Sequence, residues 1–280
     1  MTISIIELWN EGKRGNPDLC EDLYVTNDHF VAVIDGATNI TGQLMEGKTP
    51  GRLAAEVIQT SLLEAEADIT LPQLLERINH NLLTVYERLG LLKEIQENAW
   101  MAPSACLICY SHFYREIWQI GDSQCMMDGT LYKNDKIIDD ITGRARALYL
   151  EAEIKKGKTI NDLLEHDTGW EFIRPLIKQQ YQLQNDPYNQ FGYEVINGFP
   201  VDESRIQIIP VPVGTKSIIL ASDGYPVLRP TLEESEQELK ELLEKDPLCF
   251  REYIASKGLQ KGNLSFDDRT YIRFGVPERE

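Results

Sequence analysis

Acidic residues recur where apolar, β-like runs begin or end: Glu21 and Asp22 in CED, Asp35 in IDG, Asp122 in IGDS, Asp223 in ASDG, and Asp267 with Asp268 in FDDRT. Three of these five places adjoin glycine. A carboxylate at a strand end has its backbone fixed by the sheet while its side chain points into a loop-lined cleft, an arrangement suited to holding a cation or a phosphate. Taken singly, each acid reads equally as a turn initiator. The recurrence favours a metal, because hard cations such as Mg²⁺ and Mn²⁺ are held by several oxygens drawn from different segments. Histidine and cysteine offer no rival set. The four histidines are scattered, and Cys106 and Cys109 of CLIC lie three apart in a strand-like run, where side chains face opposite sides.

The elements that must position these acids are legible from pattern. ISIIEL, DLYVTND and HFVAVI read as strands, the last ending at Asp35, where Gly36 permits backbone geometry that a Cβ resists. Two helices follow, one opening at Thr49-Pro50 and one at Thr70, where Gln73 completes a capping box. SACLICYSHF, REIWQIGDS and QCMMDGTLYKND predict an antiparallel meander. Residues from about 142 to 184 turn helical and charged, and read as an insertion over one face. YEVING, RIQIIPVPV and SIILASDG predict further strands, the stretch from Thr231 to Ser256 predicts acidic helices, and RTYIRF predicts a final strand. With no internal repeat and no linker, the expectation is a single domain over 1–280.

Composition narrows the function. A formal net charge of −17 argues against nucleic acid and anionic membranes as partners, and EIKKGK and RAR read as solvated basic clusters. There is no secretory signal pattern and no apolar run of spanning length. Five cysteines without framework spacing fit a reducing cytoplasm.

The ordered set ED, VIDG, PSA, IGDS, SDG and DDRT, running from Glu21 to Thr270, resembles the PPM family of metal-dependent protein phosphatases, the type-2C serine/threonine phosphatases. The resemblance implies an α+β fold, a four-layer αββα sandwich of two antiparallel sheets flanked by helices, with two Mn²⁺ or Mg²⁺ ions at one end. It implies that Asp35 bridges the ions and Gly36 offers its carbonyl oxygen to one of them. Asp223 and Asp267 complete one shell, and Glu21 and Asp22 serve the other directly or through water. Asp122 matches a position linked to a third, looser ion, while Asp268 is the weaker candidate of its pair. Ser104 and Ala105 match a small-residue turn with a packing role. The implied activity is phosphomonoester hydrolysis on phosphorylated protein substrates by a water that the ions activate.

Two departures stand out. Many members carry a histidine, assigned as proton donor, directly after the Asp-Gly pair, and this chain has Ala37 there. The arginine that grips the substrate phosphate has Arg14 as its nearest candidate, although the usual spacing falls on Pro17. Both departures leave open a degenerate phosphatase domain that binds phosphoprotein without hydrolysis. A haloacid-dehalogenase-like mechanism fits less well, because it needs a second acid two residues from the nucleophile. Ala37 and Val33 occupy those positions around Asp35.

Overall fold

A computed structural model describes residues 3–40 and 42–277. Its strands form two five-stranded antiparallel sheets. The first joins β1 (Ser4–Glu11), β6 (Gln124–Met127), β7 (Thr130–Tyr132), β9 (Ser217–Ala221) and β10 (Arg269–Gly275) in the order β1-β10-β9-β6-β7. The second joins β2 (Leu23–Thr26), β3 (Phe30–Gly36), β4 (Ala105–Ser111), β5 (Glu116–Ile120) and β8 (Gln207–Pro210) in that order.

Alternation along the strands builds the layers. Val31 and Val33 of β3 point between the sheets with Ile108, and meet Leu220, Ile272 and Phe274 of the opposite sheet. The alternate residues Ala32 and Ile34 face outward, onto α1 (Pro50–Leu63) and α2 (Leu71–Arg88). On the far side of the first sheet, Ile219 and Tyr271 pack toward Leu232 of α7 (Leu232–Lys245). The result is the expected αββα sandwich.

Both predicted caps form. The Thr49 side chain accepts from the Arg52 N–H with Pro50 in the first helical turn, and Thr70 and Gln73 close their box reciprocally. Helices α3 (Leu92–Glu97), α4 (Ile137–Lys155), α5 (Ile160–Glu165) and α6 (Thr168–Gln180) are also present, the last three covering the stretch expected to be helical.

Four expectations shift. The helical stretch starts at Ile137, earlier than 142, because α4 has no side-chain cap to mark its start. YEVING forms isolated bridges, Gln184 to Tyr193 and Ala105 to Ile196, where Asn185 Oδ1 takes up the Val195 N–H at 2.9 Å. The helix after Thr231 ends at Lys245. Beyond it, Asp246 Oδ2 accepts the N–H groups of Phe250, Arg251 and Glu252 at 2.8–2.9 Å, so a side chain takes the bonds that a continuing helix would have formed. The meander is also interrupted. β5 pairs with β4, but β6 pairs with β9, so the chain leaves one sheet for the other through Gly121, Asp122 and Ser123.

Candidate metal centre

Antiparallel pairing explains why acids so distant in sequence meet. Leu23 at the start of β2 lies opposite Ile34 near the end of β3, and Tyr271 of β10 lies opposite Ala221 at the end of β9. Residues just before one strand therefore sit beside residues ending its neighbour. Glu21 and Asp22 approach Asp35 in this way, and Asp267 and Asp268 approach Asp223. Asp122, at the crossing between sheets, reaches the same end.

Two glycines make the approach close enough. The need at Gly36 is space, since its φ lies outside the left-handed region: a Cβ there would stand 2.5 Å from the Glu21 carbonyl oxygen and 2.7 Å from the Gly51 backbone. A Cβ on Gly224 would collide with the Asp268 carbonyl oxygen. Each glycine follows an acid and lets a second acid-bearing segment pack against it.

The acids sort into two groups. Asp35, Asp122 and Asp223 are half-buried on the floor of a cleft of about 530 Å³, and each offers a carboxylate oxygen within 4.8 Å of the other two. That all-oxygen set fits a hard divalent cation. Electrostatics supports the fit. Burial pushes the Asp35 carboxyl well above its ordinary range, with Asp223 and Asp22 adding repulsion. Burial, Asp122 and Asp267 push Asp223 up to about 6. Burial works against Asp122 as well, but Lys136, whose Nζ stands 2.7 Å from its Oδ2, holds that carboxyl below the usual range.

The second group, Glu21, Asp267 and Asp268, is buried and gathered around an ammonium. Lys13 Nζ lies 3.3 Å from Glu21 Oε2, Asp267 Oδ1 and Asp268 Oδ2 alike. Lys257 pairs with the other oxygen of Asp267 and donates to Thr38 Oγ1 at 3.0 Å. Burial would raise the Asp267 carboxyl, yet Lys257 and Lys13 together hold it low. Asp268 is bound further by the backbone N–H groups of Lys13 at 2.7 Å and Glu21 at 3.0 Å. Asp22 belongs to neither group. Its Oδ2 accepts from the Thr270 hydroxyl, and burial followed by Asp268 pushes it up to about 8.

Arg14 is exposed and does not line the cleft, whereas its neighbour Lys13 turns inward. Ala37 and Gly36 do line it. Trp170 of α6, Tyr181 just after it, and Tyr253 and Lys257 from the segment after α7 line the cleft too. The three lysines, Lys13, Lys136 and Lys257, carry no sequence signal that distinguishes them from solvated ones.

A scan against protein-family models and a search of curated proteins find no match. Solved structures do match over nearly the whole chain. The Mycobacterium tuberculosis serine/threonine phosphatase PstP/Ppp is 14% identical, with all of both chains covered and a TM-score of 0.47. The Staphylococcus aureus serine/threonine phosphatase Stp1 is 14% identical, covering 100% of this chain and 98% of that one, at a TM-score of 0.44. RsbX in complex with magnesium is 14% identical, covering 99% and 100%, at a TM-score of 0.45. The solved structures to which this chain is similar are those of PPM-family serine/threonine phosphatases.

Proposed function

We propose that this protein is a metal-dependent phosphomonoester hydrolase acting on phosphoserine and phosphothreonine in proteins. The observation that carries the reading is the meeting of Asp35, Asp122 and Asp223 on the floor of one cleft, with oxygens within 4.8 Å of one another. Mn²⁺ or Mg²⁺ bound there supplies positive charge for the phosphoryl oxygens and acidifies water enough for attack near neutral pH. Asp35, Asp122 and Asp223 would hold the ion, and Gly36 lines the same cleft. Lys136 orients Asp122 through their 2.7 Å contact. Lys257 lines the cleft together with Lys133 and Lys136 and would meet the substrate phosphate, the role that Arg14 was expected to fill. Trp170, Tyr181 and Tyr253 line the cleft and would contact the peptide around the phosphorylated residue. No cysteine nucleophile is required: all five thiols are free and buried, in keeping with a reducing cytoplasm. Among the described residues, no helix is long and apolar enough to cross a membrane.

A non-hydrolytic reading, in which the domain binds phosphoprotein without turnover, is favoured by Ala37 in the donor position and by the exposure of Arg14. Hydrolysis of p-nitrophenyl phosphate with Mn²⁺ and with EDTA separates the two. We expect turnover that needs the ion and stops on chelation. Phosphopeptide binding without turnover would favour the second reading, and full activity in EDTA would sink the metal-dependent one.

A further inference from the structure

Half of the acid cluster already has its cations. The Lys13 ammonium sits at equal distances, 3.3 Å, from three carboxylates carried by two segments far apart in the chain, and its side chain is only 14% exposed. Both oxygens of Asp267 are engaged by ammonium groups, Oδ1 by Lys13 and Oδ2 by Lys257. Asp35 and Asp223, by contrast, make no ion pair with lysine or arginine among the described residues. Positive charge is therefore divided unevenly. Ammonium groups contact Glu21, Asp267 and Asp268 directly, and Lys136 contacts one oxygen of Asp122, whereas on Asp35 and Asp223 positive charge acts only from beyond ion-pair distance.

That division conflicts with a two-ion centre. A second divalent ion drawing on Glu21 and Asp267 would have to occupy the space that Lys13 fills, and it would compete for oxygens that two partly buried ammonium groups already contact. Ejecting Lys13 is costly, because its backbone is anchored next door. The Lys13 N–H donates to Asp268 Oδ1 at 2.7 Å, the Lys13 carbonyl accepts the Leu264 N–H at 2.8 Å, and the Gly12 carbonyl accepts the Gly15 N–H at 2.8 Å to close the loop. A strained or disordered lysine would move aside; this one is held from both ends.

We propose that Lys13 and Lys257 are built-in cations of the cleft, replacing a second divalent ion beside Glu21 and Asp267, so that the chain binds one ion, on Asp35, Asp122 and Asp223. The inference rests on the reading of the cleft as a metal centre but not on turnover. Native mass spectrometry of the full chain at saturating MnCl₂ counts the ions directly. Electron paramagnetic resonance tells an isolated Mn²⁺, with its six-line pattern, from an exchange-coupled pair. We expect one ion per chain and the isolated signal, rising to two ions with a coupled signal in the Lys13→Met, Lys257→Met double variant. Two ions, or none, on the natural chain would overturn the proposal, as would a folded double variant that still takes one. Should the double variant not fold, the count on the natural chain decides. An absence of hydrolysis with one ion bound would defeat the phosphatase reading and leave this inference standing.

Discussion

The Thr270 hydroxyl donates to Asp22 Oδ2 at 2.9 Å, joining residues 248 positions apart. The same hydroxyl oxygen accepts from Asn10 Nδ2 at 2.8 Å, so β1, β10 and the entry to β2 are tied at one point. Thr270→Val should remove one of the two side-chain hydrogen bonds, from Ser222 and Thr270, that serve the buried Asp22 carboxyl, at a cost of about 1–3 kcal/mol. Urea unfolding should show the larger loss at pH 9, where Asp22 is ionised, and the smaller loss at pH 6, where it is protonated. An equal loss at both pH values would mean that the hydroxyl does not serve the carboxylate.

The metal-free protein should become less stable as pH rises from the ordinary carboxylate range to about 8. Asp22, at about 8, and Asp223, at about 6, have folded values above their unfolded ones, and Glu21 and Asp35 are shifted the same way. Across that window the folded state therefore binds more protons than the unfolded state, and the slope of unfolding free energy with pH is negative. Asp122 and Asp267, held low by lysines, contribute stability that is lost only at more acidic pH. Urea midpoints measured in EDTA should be higher at pH 5.5 than at pH 8.5. A midpoint that climbs over this interval would contradict the clustering of the acids.

Asp35→Asn and Asp223→Asn should separate function from stability. Each removes a ligand charge, so Mn²⁺-dependent turnover should fall by at least about 100-fold. Each also removes a repelling carboxylate from a buried cluster, so the melting temperature in EDTA should rise, by about 2–4 °C for each kcal/mol of relief in a chain of this size. A drop in both quantities would assign these acids a structural role instead.

Ala37 lines the cleft without a proton to give. General-acid assistance is worth about 10²- to 10⁴-fold for a basic leaving group and much less for one that departs readily as an anion. Across aryl phosphates of graded leaving-group acidity, the natural chain should show a steep dependence that Ala37→His makes shallower. Phosphopeptides should be cleaved more slowly than p-nitrophenyl phosphate unless contacts from the α4–α6 helices offset the difference. A flat dependence in the natural chain would show that another group already donates the proton.

Several features were readable from sequence because their causes are local. Thr49-Pro50 and Thr70 with Gln73 announce their helices through cap chemistry contained within four residues. The acids stand out because apolar β runs stop beside them, and the ordered motifs from Glu21 to Thr270 anticipated the αββα sandwich. What the tertiary structure alone decided depends on which strands pair. Asp122 reaches the cleft because β6 joins β9 instead of continuing from β5, a choice of partner that no local pattern encodes. Gly36 and Gly224 proved to be needed for room rather than for backbone angle, and that room is defined by segments far away in the chain. The lysines are the sharpest case. A lone lysine in sequence is a surface residue by default, and only the folding of Lys13 and Lys257 against Glu21, Asp267 and Asp268 makes them part of the site. Charge acts over a few ångströms in space, so its effect on these acids follows from the fold and not from proximity along the chain.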